Sequence, residues 1–472
     1  VDVETRLKEV EGELLSRRPE NSVDLAHDRV GELVALLGDP QRACPVIHIT
    51  GTNGKTSTAR MTDALLRARG LRTGRFTSPH LVSFRERICI DGAPLSAEQF
   101  IAAYDDVIPY VTMVDQSHPV AMSFFEVLTG MAFSAFADAP VDVMILEVGV
   151  GGQLDCTNVA DGAVAVITPI SLDHTRMLGG TIEEIAAQKA GIIKPGAVAV
   201  LAQQPVAAAE VLIRHAAEVG ARVAREGMEF GVLTREQAVG GQQLTLRGLR
   251  GVYEDVYLPL FGEHQAGNAV CALAAVEAFA AVSDADQTLD PALVREAFAT
   301  VASPGRLEIL RRSPAVIIDA AHNPAGMAAT ATAVEEAFTF TRVVGVVAVP
   351  ADKDVPGILA ELEPLLSDIV VTRNSSARSM EPAELGALAA EIFGEDRVHV
   401  VDRLDDAIEA AVELADETGA DDLPGSGGVL ITGSVITAGD ARILLAPNGG
   451  MLAPDPPAKQ PSRHSFTAAE LS

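Results

Sequence analysis

The sequence predicts an α/β protein of two domains, each a parallel sheet covered by helices. Three observations carry that expectation. At 472 residues the chain exceeds the roughly 250–300 at which one hydrophobic core stops growing. Short apolar runs of strand character recur along it, separated by stretches long enough for crossover helices. A glycine-rich turn ending in Lys55 joins the first such run to a helical segment.

Residues 5–18 and 27–37 have the spacing of amphipathic helices. Pro45 then introduces the strand-like run Val46-Ile47-His48-Ile49-Thr50, and helical spacing resumes over 55–69. The runs 143–146, 163–167 and 197–201 extend the same sheet, and the alanine-rich segment 265–281 reads as a helix. Ser303-Pro304-Gly305 breaks the pattern, so the expected division is 1–300 and 301–447. The second unit has strand runs at 316–318, 343–349, 369–371, 398–401 and 429–431. Beyond Pro447 the chain is rich in Pro, Ser, Ala and Gly, and 448–472 is expected to be a flexible tail.

Apolar residues make up 48% and charged residues 21%, enough to form a packed core and to disfavour disorder. The balance of 36 Lys and Arg against 65 Asp and Glu, a net charge of −29, repels a phosphate backbone and argues against a nucleic-acid partner. A local basic stretch remains available to smaller anions, with Arg60, Arg67, Arg69, Arg72, Arg75, Arg85 and Arg87 between residues 60 and 87. Cys44, Cys89, Cys156 and Cys271 are scattered without a CxxC, which points to neither a disulfide scaffold nor a zinc site and makes the cytoplasm the expected compartment. No apolar run reaches the about 18 residues of a membrane span, and no signal-like stretch opens the chain. No membrane association is expected, and a monomer is the default because no coiled-coil or exposed apolar stripe stands out.

Thr50-Gly51-Thr52-Asn53-Gly54-Lys55-Thr56-Ser57 carries the chemistry most directly. Between a strand and a helix, such a turn lets backbone N–H groups converge on phosphate oxygens while Lys55 supplies positive charge. The common phosphate-loop spacing would place glycine where this chain has Ile49. Glu147 ends an apolar strand, where open α/β sheets place ligand-binding residues. It is readable as a helix-capping carboxylate or, beside a phosphate loop, as a magnesium ligand. His174 is equally readable as a satisfied loop histidine, Lys189 as a solvated surface lysine, Arg306 as a surface residue, and Phe124 and Phe125 as core.

Thr-Gly-Thr-Asn-Gly-Lys-Thr resembles the phosphate loop of the ATP-dependent Mur-type amide ligases. Ser78-Pro79-His80-Leu81 with Glu86-Arg87-Ile88, Leu146-Glu147-Val148-Gly149-Val150-Gly151-Gly152 and Leu172-Asp173-His174-Thr175 narrow the resemblance to the folylpolyglutamate synthase and dihydrofolate synthase branch, over residues 24–442. That resemblance implies a P-loop-containing parallel-sheet ATPase domain followed by a smaller Rossmann-like α/β domain. It implies ATP bound by Thr52, Asn53, Gly54, Lys55, Thr56, Asn268, Arg306 and Asp319, with His264-Gln265 on the adenine side. It implies Mg²⁺, as two ions, on Ser78, Glu147, His174 and a carbamylated Lys189. The pterin-bearing acid would meet Val23, Asp24, Leu25, Ser123, Phe124, Phe125, Glu126, Leu154, Asp155 and Cys156. The incoming glutamate would lie near His322 and Ser434, and Lys55, Lys189 and His322 would serve catalysis. Gln153 and Gln188 stand where the family usually has Arg and Glu, and 433–442 is less aromatic than the family's form.

The implied reaction joins L-glutamate to a folate, and to dihydropteroate, through an acyl phosphate formed with ATP. One rival is a peptidoglycan-type Mur ligase, whose extra domain ahead of the phosphate loop does not fit the 49 residues before Thr50. Another is a nucleotide-binding regulatory protein without ligase activity.

Overall fold

The computed structural model describes residues 2–19, 27–282, 288–417 and 426–451. Helices α1 (Val3–Leu15) and α2 (Asp28–Leu36) precede β1 (Val46–Thr50), all five residues of which are buried. The chain then runs through α3 (Lys55–Ala68), β2 (Thr73–Phe76), the short strands β3 (Ile88–Ile90) and β4 (Ala93–Pro94), α4 (Ala97–Ser117), α5 (Phe124–Asp138) and β5 (Val143–Glu147). Next come β6 (Gly162–Ile167), α6 (Thr175–Leu178), α7 (Ile182–Ala190), β7 (Val198–Leu201), α8 (Val206–Glu218) and β8 (Arg222–Arg225).

These strands form one sheet in the order β4-β3-β2-β5-β1-β6-β7-β8, with β2, β5, β1, β6, β7 and β8 parallel. Connections leave β1 first toward β2 and β5 and then toward β6. The strand order therefore reverses at β1, and a crevice opens at its carboxyl end where ligands of such sheets bind. Apolar side chains pack on both faces: α1, α2, α4 and α5 cover one, and α3 and α9 (Glu263–Val282) cover the other.

A three-stranded antiparallel sheet, β9 (Gly231–Ala238), β10 (Gly241–Arg247) and β11 (Val252–Leu258), packs against the α3 and α9 core. No strand was expected there. In β9 the polar residues Thr234, Arg235, Glu236 and Gln237 occupy both faces, so the run is weak in hydropathy. After α10 (Pro291–Ala299) comes the six-stranded sheet. Its elements are β12 (Glu308–Arg312), β13 (Ala315–Ile318), α11 (Pro324–Ala337), β14 (Arg342–Val347), α12 (Val355–Leu362), β15 (Asp368–Val371), α13 (Pro382–Phe393), β16 (Val398–Val400), α14 (Leu404–Asp416), β17 (Gly427–Thr432) and α15 (Val435–Leu445). The strand order is β12-β13-β17-β14-β15-β16, parallel except for β12, with separate apolar clusters on its two faces.

Two expectations need correction. The arginine-rich stretch is not one anion-binding patch. Arg67 and Arg75 turn inward onto Asp63 at 3.2 and 2.8 Å, Arg72 pairs with Asp91, and Arg87 bonds His80 and lies over the Phe124 ring. A fully buried Asp63 needs such cations, so the helix and strand that carry them draw the arginines into the interior. Nor does the ordered chain stop at 447. Pro447–Gly450 make a short 3₁₀ turn, and Arg442 Nε donates to the Gly450 carbonyl at 2.8 Å. The rest of the expected tail, 452–472, lies outside the described residues. Among the described residues no helix is long and apolar enough to cross a membrane.

Candidate active site

The phosphate loop spans the turn between β1 and α3, at the centre of the larger sheet. Gly51 (φ 149°) and Gly54 (φ 88°) adopt backbone angles that L side chains rarely hold, and neither has room for a β-carbon. At Gly51 it would fall 1.8 Å from Thr168 Oγ1, and at Gly54 it would fall 2.3 Å from Asn268 Oδ1. The stretch after β6 pins the loop: Thr168 Oγ1 donates to the Asn53 carbonyl at 2.7 Å, and Thr52 N and Oγ1 donate to the carbonyls of Pro169 and Ser171, each at 3.0 Å. The N-terminus of α3 thus faces the crevice with no side-chain cap on its first N–H groups, the geometry that attracts phosphate.

Cations and one carboxylate crowd this turn. Lys55 Nζ donates to the carbonyls of Gly51 and Thr52 at 3.2 and 3.0 Å, and burial lowers its pKa against the pull of Glu147 and Asp173. Lys189, late in α7, is 4% exposed and donates to the Gly51 carbonyl at 2.7 Å. Burial and the nearby Lys55 charge push its amine down to about 7. It is no surface lysine. Glu147, 1% exposed at the end of β5, accepts from Thr56 Oγ1 at 2.9 and 3.0 Å and from Ser78 N at 3.3 Å. Burial raises its pKa while Lys55 opposes the rise. It caps no helix. Ser78 follows β2, and the loop after it folds around Glu86, whose carboxylate accepts from the backbone N–H groups of Leu81, Val82 and Ser83.

His174 heads α6 with φ 49°, half-buried, its pKa lowered to about 4 chiefly by burial. Its neighbour Asp173 reaches the second sheet. Asp173 Oδ1 accepts from Lys353 Nζ at 2.5 Å, and Oδ2 accepts from Asn323 Nδ2 at 3.0 Å, with His322 Nε2 at 3.7 Å. Burial works against the charged form, yet Lys353, His174 and His322 hold the carboxyl well below the usual range. Asn323 also exchanges amide hydrogen bonds with Asn53 of the phosphate loop, at 3.2 and 3.1 Å. Lys353 escaped the sequence analysis because Pro350-Ala351-Asp352-Lys353-Asp354 reads as a solvated turn.

From the smaller sheet, Asp319 follows β13 and is occupied internally, accepting from Leu307 N, Ala321 N and Thr330 Oγ1 at 2.9–3.0 Å. Arg306 is half-buried and lines a cleft between the sheets, with Thr56, Arg60, Ser303 and Val435. Asn268 abuts Gly54 and donates to Gln265 Oε1 at 3.1 Å. His322 Nδ1 lies 3.0 Å from the Ala320 carbonyl, and burial lowers its pKa to about 4, leaving a neutral ring. Ser434 caps α15 and receives Asn374 Nδ2 at 3.1 Å.

The expected pterin residues form a separate group beside the same sheet edge. Phe124 and Phe125 are core residues, 6% and 7% exposed, and the Phe125 ring lies 5.6 Å from that of Phe76. Ser123 and Glu126 form the capping box of α5, and Glu126 is paired with Arg29 at 2.8 Å. Asp155 Oδ2 accepts from Gly149 N and Val150 N at 3.0 and 3.1 Å, and Oδ1 accepts from Thr157 N and Oγ1 at 3.0 and 2.5 Å. These bonds fill the capacity of a carboxylate, so Asp155 holds the turn after Glu147. Leu154 and Cys156 are half-buried beside it, and burial raises the Cys156 thiol. Gln153 is exposed, and its N–H bonds the Gln188 carbonyl at 2.7 Å. Val23, Asp24 and Leu25 lie outside the described residues.

A phosphate loop at the switch point of one parallel sheet, facing the carboxyl edge of a second across a polar cleft, defines a two-lobed nucleotide-dependent ligase. The Mur ligase middle-domain model matches residues 110–276, and the Mur ligase glutamate-ligase-domain model matches 305–435. A dihydrofolate synthase/folylpolyglutamate synthase of Mycobacterium tuberculosis is 53% identical over 93% of this chain and 93% of its own. The Bacillus subtilis protein of the same name is 33% identical over 88% and 93%. Crystal structures of the Mycobacterium tuberculosis folylpolyglutamate synthase with ADP and AMPPCP match with a TM-score of 0.89 at 52% identity, over 94% of this chain and 99% of that one. The chain belongs to the dihydrofolate synthase/folylpolyglutamate synthase family of Mur-type ligases and is an ATP-dependent enzyme.

Proposed function

We propose that the protein activates the terminal carboxylate of a folate with ATP and joins it to the amine of L-glutamate, with dihydropteroate as a second acceptor acid. The observation that carries this is the convergence of two carboxyl edges. Gly54, Lys55, Thr56 and Glu147 come from one sheet, Arg306, Asp319, His322 and Ser434 from the other, with the cleft between them. The structure of a folylpolyglutamate synthase–AMPPCP–folate complex matches this chain with a TM-score of 0.80 at 30% identity.

In this reading the loop N–H groups, Thr52, Asn53, Lys55 and Thr56 hold the polyphosphate. Asn268 lies toward the base, and Arg306 and Asp319 close from the second lobe. The acid's carboxylate attacks the γ-phosphorus, displacing ADP and giving an acyl phosphate. The glutamate amine then attacks that carbonyl and expels phosphate. Positioning and charge neutralisation supply most of the acceleration in such transfers. Lys55 offsets charge on the transferring group. His322, kept neutral by burial, holds a lone pair near the lobe interface where the attacking ammonium must lose a proton. Ser434 sits beside Asn374 to hold the amino acid.

The residues at the loop fit magnesium. Glu147 is a buried carboxylate whose charged form needs a cation, beside the Thr56 hydroxyl and the Ser78 backbone N–H, and the ion prefers such oxygens together with phosphates. Ser78, Glu147 and His174 would hold one ion, and Lys189 as a carbamate a second. Such ions supply charge neutralisation on the phosphoryl oxygens. An amine lowered to about 7 has the free base that CO₂ needs. The net charge of −29 disfavours a nucleic-acid partner, and four unpaired cysteines suit a reducing cytoplasm. A monomer is the oligomeric state of this reading.

The decisive experiment is phosphate release from ATP with dihydropteroate or folate, with glutamate, and with both. Ligation requires both acceptors for sustained release and a product heavier by one glutamyl residue. Nucleotide binding without turnover under every combination overturns the reading.

A further inference from the structure

The interface between the lobes contains a charged contact that neither the phosphate chemistry nor the acceptor sites use. Asp173 stands on the loop after β6, next to His174, and Lys353 stands on the loop after β14 of the other sheet. Their side chains are 8% and 10% exposed, and they meet at 2.5 Å. Asn323, which opens α11, joins them: its Nδ2 donates to Asp173 and to Asn53 Oδ1, while its Oδ1 accepts from Asn53 Nδ2 and from Gly326 N at 2.8 Å. One connected set of side chains therefore runs from Lys353 through Asp173 and Asn323 to the phosphate loop.

A buried ion pair contributes little as long as it is intact, but removing one partner strands a charge in a dry site at large cost. Here the cost falls on the closed arrangement alone, because opening the lobes returns both side chains to water. The Asn53–Asn323 exchange adds directionality, since both amides must be oriented by their own loops before the pair forms.

We propose that Asp173 and Lys353 are positioning residues of the ligation step. They latch the second lobe onto the phosphate loop, so that the acyl phosphate stays shielded from water until the amine reaches it. The latch rests on the ligase reading above and deepens it. Its function is to set the ratio of glutamyl transfer to wasteful hydrolysis. A closed site excludes the water that otherwise takes the activated carbonyl, giving back the acid and phosphate.

The test measures phosphate released per glutamyl product in the full-length enzyme, with ATP, magnesium, folate and saturating glutamate, for wild type, Lys353→Met, Lys353→Arg and Asp173→Asn. Thermal melting of each variant checks that it is folded. The latch predicts a ratio near one for wild type, a rise of about tenfold in Lys353→Met and Asp173→Asn with ATP turnover retained, and a return toward one in Lys353→Arg. A Lys353→Met enzyme that stays coupled overturns it. If that variant raises only the KM for glutamate, Lys353 is a substrate-carboxylate ligand and not a latch. A wild type that forms no glutamyl product at all defeats the ligase reading itself, which separates the two failures.

Discussion

Lys55 and Lys189 both aim their amines at the Gly51 carbonyl, yet they have different work to do. Lys55 heads the helix proposed to receive phosphate, so Lys55→Ala is expected to abolish ATP-dependent ligation, a loss of about a thousandfold or more in kcat/KM measured by product formation, while the protein still melts cooperatively. Lys189 offers a pH dependence with a definite sign. An ordinary lysine at 10.5 is almost wholly ammonium near neutrality, whereas an amine at about 7 is half free base there. Carbamate forms only from the free base, so its occupancy at fixed dissolved CO₂ is expected to rise from about pH 6 to about pH 8. A carbamate resonance from ¹³C-labelled CO₂ that follows this course, and is missing in Lys189→Ala, confirms the assignment; a resonance independent of pH or of Lys189 removes it. Much of the site was legible at this scale because its residues come in contiguous motifs whose letters state the chemistry. Lys353 and Thr168 were not legible. Each acts through a partner far away in sequence, and a lone lysine or threonine in a turn carries no mark of the approach that gives it a role.

At the level of the element, the strand–turn–helix from β1 to α3 shows how glycine requirements become function. A methyl group at position 54 meets the Asn268 oxygen at 2.3 Å on a backbone at φ 88°, so both the turn and the start of α9 must give way. Such strain costs about 1–3 kcal/mol. Gly54→Ala is expected to raise the KM for ATP at least tenfold in steady-state assays with little change in the melting of the smaller lobe. An unchanged KM would show that the loop tolerates a side chain and that phosphate is held elsewhere. Most parallel strands were legible in sequence to within a residue or two, as in 143–146 expected against Val143–Glu147 found, because strands covered on both faces are continuously apolar; the parallel strands β2 and β8 were missed because Thr-Gly-Arg-Phe and Arg-Val-Ala-Arg break that pattern. The β9–β11 sheet was missed for the opposite reason. Its strands are half-covered, so polar or charged residues break up the apolar positions in each of them.

In the whole molecule, the two lobes have their own apolar clusters and meet through polar pairs, Asn53 with Asn323, Asp173 with Lys353, Ser57 with Ser303 at 3.0 Å, and Arg235 with Glu336 at 2.6 Å, together with two apolar contacts, Phe261 on Phe338 and Leu81 on the second lobe's cluster. A mostly polar interface with two small apolar contacts couples domains weakly, whereas a nucleotide held, as proposed, by Lys55 on one side and Arg306 on the other would couple them strongly. Calorimetry without ligand is therefore expected to resolve two transitions, since each core is packed mainly by its own lobe and only Phe261 and Leu81 reach across. A non-hydrolysable ATP analogue with magnesium, at about 100 times its Kd, adds about 2.7 kcal/mol to whichever state binds it. For lobes of this size that shift is roughly 5–10 °C. Because the analogue needs both lobes in place, the lower transition is expected to rise until it merges with the upper one. Arg306→Ala removes the second lobe's grip, so the same analogue then stabilises only the lobe that carries the phosphate loop, and the two transitions separate again. A single transition in the free enzyme, or an equal shift with and without Arg306, would mean that the lobes fold as one unit and that nucleotide binding does not close them.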